Sequence, residues 1–565
     1  MPPIDPRTPI RSLLRDAVER AWSRAVESGE LPPIPVDNEA PAVEVARPAD
    51  PAHGDFASNL ALRLARPLRR PPMAIAAAIA DALRETVDRA DAPLLASVEV
   101  AAPGFVNLRL DPRFVASATD AALAAGPDYG RLSGSIPRRI NVEFVSANPT
   151  GPLHIGNARG AFVGDLLCRL LEAAGHEVTR EYYFNDFGSQ VRHLGASVRA
   201  VHEDQPVPED GYRGAYVAEL AERVPPELWQ AVSASGADPE ALLGTWASEQ
   251  VRAGIEASLA RLGVRFDVWK SEGSLYAEGR VAEGLDRLDA AGATYERDGA
   301  LWFRSTDYGD DKDRVLRRSN GEYTYFGSDV GYLVDKFGRG FEELVYLWGE
   351  DHHGTVARLR NAAEALGYSK AAVRVRLIAW VRFVRDGREI AMSKRAGEFI
   401  TLDELLAEIG VDAARWFFAA RGHTVGIDFD IELAKRQSNE NPVYYVQYAH
   451  ARIASILRRA EAEGLEAARA LGDALADDPI GLGLAERILR LPEVVEDAAV
   501  AEETQGLTAY ATDLATCFHA YYRDRRVVDP DDPATSASRL RLVSAARLAL
   551  ANALALMGIS APESM

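Results

Sequence analysis

Residues 148–160 read Asn-Pro-Thr-Gly-Pro-Leu-His-Ile-Gly-Asn-Ala-Arg-Gly, and their types and spacing suit the handling of a phosphate. An imidazole, a glycine and a carboxamide fall together at His154, Gly156 and Asn157, where a helical pattern begins. The first turn of a helix presents backbone N–H groups without an intrahelical acceptor, at the positive end of the helix dipole, and both attract an anion. His154 adds a side-chain donor aimed at the same place. Gly156, with no side chain, lets a nucleotide approach the backbone closely. A second cluster, Asp351-His352-His353-Gly354, invites a metal reading. Adjacent residues at a strand end point to opposite sides, so both imidazoles on one ion are not expected and no metal site is assigned. Lys394 follows Met392-Ser393 in a polar loop that ends at Gly397; taken alone it reads as a solvated surface lysine.

The elements holding the first cluster form a strand, a turn and a helix. Ile140, Val142 and Phe144 alternate ahead of it. After it, Phe162, Leu166, Leu170 and Ala174 recur every four residues, with Val163, Leu167 and Leu171 beside them, and Gly175 stops the pattern. That order is the first part of a nucleotide-binding βα unit. Wider patterns divide the chain into three. Residues 1–118 carry helical stretches at 59–66 and 73–84 and alternating strands at 97–100 and 105–110, a small α+β unit; a Gly/Ser/Pro-containing linker lies near 126–137. Residues 119–436 alternate strand-like runs (178–184, 344–348, 373–384) with helical patterns, which predicts an α/β region on a parallel sheet. A mostly helical insertion is expected in it at about 205–300, with strand-like 294–297 and 301–304. Residues 437–565 read as helical and close on one long helix over 540–557.

Composition narrows the function classes. The chain is 565 residues long, 47% hydrophobic and 26% charged, which suits an ordinary globular protein of several domains. A formal charge of −20 argues against indiscriminate binding to nucleic acid or anionic membrane and leaves room for a local basic surface. Two cysteines, Cys168 and Cys517, cannot build a disulfide framework or a cysteine-rich zinc site. The N-terminus has no apolar signal region, and the longest apolar run, 548–559, is broken by Asn552 and too short to span a bilayer. A cytoplasmic, soluble protein is expected.

The motifs also carry a family resemblance. His154-Ile-Gly-Asn157 resembles the HIGH motif of class I aminoacyl-tRNA synthetases, and Ala391-Met-Ser-Lys-Arg395 is similar to their second motif, usually Lys-Met-Ser-Lys-Ser. The two stand about 240 residues apart, in the right order. Glu143-Phe-Val-Ser-Ala-Asn148 precedes the first motif as it does in the arginyl-tRNA synthetases. Gly54-Asp-Phe-Ala-Ser-Asn59 and Pro103-Gly-Phe-Val-Asn107 resemble the N-terminal tRNA-contacting domain of that family. Asn441-Pro-Val-Tyr-Tyr-Val-Gln-Tyr-Ala-His-Ala-Arg452 resembles the start of its anticodon-binding domain. Two departures stand out: Asn157 replaces the second His and can still donate a hydrogen bond, whereas Ala391 replaces a Lys and leaves more of the charge to Lys394.

The resemblance implies an α/β fold: a Rossmann-type catalytic domain between an N-terminal α+β domain and a C-terminal all-helical anticodon-binding domain. It implies ATP-dependent ligation of L-arginine to its tRNA through arginyl-adenylate, with AMP and pyrophosphate released. It also implies transfer to the 2′-hydroxyl of the terminal adenosine, and tRNA binding before the adenylate forms. By that resemblance His154 and Lys394 are catalytic, and they join Gly156, Asn157, Met392, Ser393 and His353 on ATP, which brings Mg²⁺ with it. Guanidinium is planar and rich in donors, so carboxylates should meet it. Asp329 is expected there, with Tyr325 four residues before it on the same helix face, and Glu272 as a second acid. Glu143, Ser146 and Asn148 are expected at the α-amino end, and Asp351, beside Glu350, on substrate. Tyr444, Tyr448 and Arg452 are expected on tRNA, the tyrosines by stacking on unpaired bases. The partners are thus tRNA(Arg), L-arginine and ATP, with no membrane and a monomeric chain. Rival readings fare worse: a cysteine-specific synthetase needs a cysteine-ligated zinc, and a non-catalytic tRNA-binding protein has no need of His154, Lys394 and Asp329. A small nucleotidyltransferase has no use for the helical C-terminal part.

Overall fold

The computed structural model describes residues 4–87, 94–134, 136–186, 188–234, 238–390 and 401–565. At its centre is a five-stranded sheet made of β1 (Arg139–Glu143), β2 (Glu177–Phe184), β3 (Val268–Ser271), β4 (Glu343–Gly349) and β5 (Val373–Ile378), in the spatial order β5-β4-β1-β2-β3. All four pairings are parallel. The first strand therefore lies mid-sheet, and successive connections run outward on either side of it. That is the Rossmann order, and its ligand crevice opens between β1 and β4, at their carboxyl ends. Central strands covered on both faces read as continuous apolar runs; Leu344, Val345, Tyr346 and Leu347 in β4 are all buried.

The helix after β1, α1 (Ile155–Ala173), has 14 buried residues, since it packs between the sheet and helices of the C-terminal part. Gly164 sits where α1 crosses the end of β1: a Cβ there would lie 2.3 Å from the Phe144 ring. Two further helices carry residues of interest, α2 (Tyr325–Gly338) and α3 (His353–Ala365).

Two features differ from the sequence expectation. The run 373–384 is not one strand. It divides into β5 and a separate strand, Val381–Arg385, which pairs in parallel with Ile427–Asp430 in another small sheet. The chain turns at Ala379, whose N–H donates to the His423 carbonyl. The stretch 205–300 is likewise not one insertion. Helices Ala215–Glu222, Pro226–Val232 and Pro239–Arg261 lead into β3, an edge strand of the main sheet, before the chain leaves again. With four half-buried residues, Val-Trp-Lys-Ser, β3 shows neither alternation nor an apolar run. Strands Thr294–Arg297, Ala300–Phe303 and Arg314–Arg317 then form a small antiparallel sheet.

The N-terminal part packs helices Ile10–Glu27, Leu60–Leu68 and Pro72–Val87 with a four-stranded antiparallel sheet. Residues from Pro442 onward are helical, including α4 (Pro442–Ala462), α5 (Gln505–Asp524) and α6 (Pro533–Leu556). The last helix starts earlier than its apolar pattern because Asp532 caps it, accepting the Thr535 N–H at 3.1 Å, with Pro533 at the first helical position. The N-terminal and helical C-terminal parts meet where Arg47 bonds to buried Glu493 at 3.0 and 3.2 Å, and Tyr129 Oη, from the segment that follows the N-terminal part, donates to the Ile488 carbonyl at 2.6 Å.

Candidate active site

The turn that follows β1 is strained. Val145 has φ +67° and Ser146 φ +41°, a region unfavourable for a β-branched residue. Hydrogen bonds hold it there. Ser146 Oγ accepts from Tyr183 N–H at 3.2 Å and donates to Glu143 Oε1 at 3.1 Å. Tyr182 Oη accepts the Ala147 N–H at 3.0 Å and donates to its carbonyl at 2.8 Å. Ser146 thus braces the turn, and the chain is swung away from β1 toward the start of α1.

His154 is the N-cap of α1. Its Nδ1 accepts the Gly156 N–H at 3.0 Å, and its own N–H donates to Asn157 Oδ1 at 3.3 Å. Asn157 therefore closes a capping box. With Nδ1 accepting, the proton of the neutral ring is on Nε2. The same bonds refine the expectation of free amide groups at this helix start. The Gly156 N–H is spent on the imidazole and the Asn157 N–H on the His154 carbonyl, so the side chain stands in front of the backbone. The glycine serves the ring as well: a Cβ at 156 would lie 2.7 Å from His154 Cε1. Thr401 pairs with His154 as an antiparallel bridge, which brings the flank of the second motif to the first. Met392, Ser393 and Lys394 themselves lie outside the described residues.

A cavity of about 390 Å³ opens beside this helix start, at the carboxyl ends of β4 and β5. Gly156, Asn157, Arg159 and Gly160 form one wall, Trp348, Gly349, Glu350 and Asp351 another, and Ala379 and Trp380 a third. Its size is that of a small-molecule site. Asp351, His352 and His353 are exposed. Asp351 lines the cavity mouth, and His353 begins α3. Among the described residues no group of His, Cys, Asp and Glu is arranged to hold a metal ion.

On the other side of β1 the structure gathers acids from three elements. Glu143 ends β1, Glu272 opens the short helix after β3, and Asp329 lies one turn into α2, which Thr324 caps. Burial pushes the Asp329 carboxyl up to about 7, with Glu143 and Glu272 adding to the rise and Arg358 opposing it. Burial also raises Glu272, against hydrogen bonds from Tyr183 and Ser328. Acids that resist ionisation beside one another favour a cation among them. Aromatic rings wall the pocket: the Tyr183 hydroxyl is held protonated by burial and by Glu272 and Asp329.

Glu143 is less available than the sequence suggested. Its Oε2 accepts from Lys336 Nζ at 2.7 Å, and Lys336 is wholly buried against the faces of Tyr332 and Tyr346. A second buried carboxylate, Glu181, takes two bonds from Arg339 at 2.7 and 2.8 Å and one from Asn141 at 2.8 Å. Tyr325 is 70% exposed and stands one turn before Asp329 on α2. Asn148 is exposed and donates to Gln190 Oε1 at 2.7 Å.

In the helical part, Tyr444, Tyr448 and Arg452 do lie together, one turn apart along α4. The two rings are 6.4 Å apart and nearly parallel, and the Arg452 guanidinium lies 5.3 Å from Tyr448 and 5.2 Å from Tyr522. Two members escaped sequence reasoning, Tyr522 and His519, because both come from α5. The His519 ring, 6.1 Å from Tyr448, is pushed down to about 4 by burial and by Arg452. Arg159 and Lys336 are further members; Lys336 has a spacing of two helical turns from Asp329 to mark it, and Arg159 only its place two residues after Asn157.

Comparison with known proteins agrees with this geometry. The family model described as the class I (R) tRNA synthetase catalytic domain matches residues 120–419, so sheet, capped helix and cavity belong to a class I tRNA synthetase. The arginyl tRNA synthetase N-terminal domain matches 10–110, and the DALR anticodon-binding domain 446–565. The arginine–tRNA ligase of Geobacillus kaustophilus is 44% identical over 98% of this chain and 99% of its own length. That of Syntrophotalea carbinolica is 45% identical over 93% and 95%. The Thermus thermophilus arginyl-tRNA synthetase structure superposes with a TM-score of 0.74 at 25% identity, covering 98% of this chain and all of that one. The chain belongs to the arginyl-tRNA synthetase family.

Proposed function

We propose that this enzyme joins L-arginine to its tRNA in two steps. The arginine carboxylate attacks the α-phosphorus of ATP, a P–O bond forms and pyrophosphate leaves. A ribose hydroxyl of the tRNA end, the 2′-hydroxyl in this reading, then takes the arginyl group, and AMP leaves. Adenylate formation waits on bound tRNA. One observation carries the substrate: Glu143, Glu272 and Asp329 converge across the end of β1 from a capped helix start and a nucleotide-sized cavity.

In this reading His154 Nε2–H donates to a phosphate oxygen, and Asn157 and Gly156 keep that ring in place. Lys394, with Met392 and Ser393, supplies the cation for the departing pyrophosphate, and His353 is assigned to ATP. Mg²⁺ would accompany ATP and would offset charge on its phosphate oxygens. Asp329 and Glu272 take the guanidinium, with Tyr325 turning onto it. Asn148 and Asp351 serve the amino-acid end, where Glu143 and Ser146 shape the turn. Tyr444, Tyr448 and Arg452 take the anticodon. The chain divides into a tRNA-contacting unit (1–118), a catalytic unit (119–436) and an anticodon unit (437–565), and works as a cytoplasmic monomer. Among the described residues no helix is long and apolar enough to cross a membrane.

The test is aminoacylation of total tRNA with ATP and Mg²⁺, with arginine, lysine, cysteine and glutamine in parallel, and pyrophosphate exchange with and without tRNA. Charging with arginine alone, and exchange only with tRNA present, are expected. Charging with another amino acid overturns the assignment of the acid pocket.

A further inference from the structure

Three Lys or Arg side chains are buried among the described residues: Arg159, Lys336 and Arg415. The fold gives two of them a carboxylate, Lys336 with Glu143 and Arg415 with Asp165 at 2.8 Å. Arg159, 1% exposed, has none among the described residues. Its Nη1 donates to the carbonyls of Ala379 at 2.9 Å and Trp380 at 3.4 Å, its Nη2 to that of Gly422 at 2.8 Å, and its Nε is without a partner among them. Leaving a guanidinium desolvated without a counter-ion is unfavourable. Burial pushes it down to about 10.

The three carbonyls say what the side chain does. Arg159 stands five residues after His154 on α1, and Ala379 and Trp380 form the facing wall of the nucleotide cavity. Those residues are already tied to the segment beyond Gly422 through Ala379 N–H to the His423 carbonyl and Ile427 N–H to the Trp380 carbonyl. One planar fork thus fastens this paired unit to the helix that begins at His154. An ammonium, a point donor on a flexible stem, cannot span the same acceptors.

We propose that Arg159 is a positioning residue for the nucleotide: its fork sets the distance between the start of α1 and the Ala379–Trp380 wall, the width that ATP fills. This rests on the reading of the chain as an ATP-dependent ligase. The test compares wild type, Arg159→Lys and Arg159→Met in the full-length chain, by calorimetric binding of ATP with Mg²⁺ and by pyrophosphate exchange with tRNA present. Both variants are expected to weaken ATP binding and raise the ATP KM at least tenfold, with the arginine KM and tRNA affinity within twofold of wild type. ATP affinity within twofold of wild type in Arg159→Lys overturns the proposal, because charge without the fork then suffices. A parallel loss of arginine and tRNA binding overturns it too, since the residue then serves the whole fold. Thermal midpoints report folding, and Arg159→Lys, which keeps charge and length, decides alone if Arg159→Met unfolds. Should the ligase reading fail, wild type charges no arginine, and the ATP affinities still decide the role of Arg159.

Discussion

Arginine binding should depend on pH through Asp329. Burial and the neighbouring acids raise this carboxyl to about 7 in the free enzyme, well above the ordinary carboxylate range. Only the ionised form meets a guanidinium with acceptors on both oxygens and with an opposite charge. The sign follows directly: lowering the pH through 7 protonates Asp329 and weakens binding, and raising it restores binding. With a midpoint near 7, roughly 90% of the sites are ionised at pH 8 and roughly 10% at pH 6, so the arginine KM at pH 6 should be on the order of tenfold that at pH 8. The assay is arginine-dependent charging at saturating ATP and tRNA, paired with calorimetry in two buffers of different ionisation enthalpy. Calorimetry should show close to one proton released per arginine bound at pH 6 and little release at pH 8. Asp329→Asn removes a charge-assisted pair worth about 2–3 kcal/mol, which is roughly 30- to 150-fold in arginine KM at pH 8, and should also flatten the pH profile. An arginine KM constant between pH 6 and 8, or a slope unchanged in Asp329→Asn, would refute the reasoning.

Other perturbations probe the remaining parts. Gly156→Ala puts a Cβ 2.7 Å from the His154 ring, so pyrophosphate exchange should slow by about 10- to 100-fold, a barrier change of about 1.4–2.8 kcal/mol, with an unchanged arginine KM; wild-type exchange kinetics in this variant would contradict the assigned ring position. Lys394→Ala should lower turnover strongly while tRNA affinity, measured by filter binding, stays near wild type. Lys336→Met leaves Glu143 buried without its cation, which costs about 3–5 kcal/mol in such pairs. Denaturant unfolding should show that loss, and it should be smaller in the double variant Lys336→Met, Glu143→Gln.

Much of the fold was legible because its signals are local. The alternation up to Phe144 and the four-residue recurrence from Phe162 located β1 and α1, and the continuous apolar run of β4 marked a central strand. What escaped has local causes as well. β3 has four half-buried residues and no period, and the break after β5 is set by bonds from Ala379 to His423 and from Arg159 to the carbonyls beyond. In the site, the motif placed His154, Gly156 and Asn157 together because they are neighbours in the chain. No spacing connected His519 or Tyr522 to Tyr448, since a different helix supplies them.

The sequence by itself determined where α1 starts, which residues stand at that start, and which residue types were available for a cation and a phosphate. Those properties depend on side-chain chemistry and on periods of a few residues, and both are written along the chain. Only the tertiary structure decided which acids meet, which are already paired and which way the imidazole carries its proton. Asp329 and Glu272 resist ionisation because distant elements bury them beside Glu143, while Glu143 itself is held by Lys336. The spacing put Tyr325 and Asp329 on one helix, and only the packing left the Tyr325 ring exposed. Desolvation and pairing depend on what packs against a group, and parallel strands bring together residues that the chain keeps far apart.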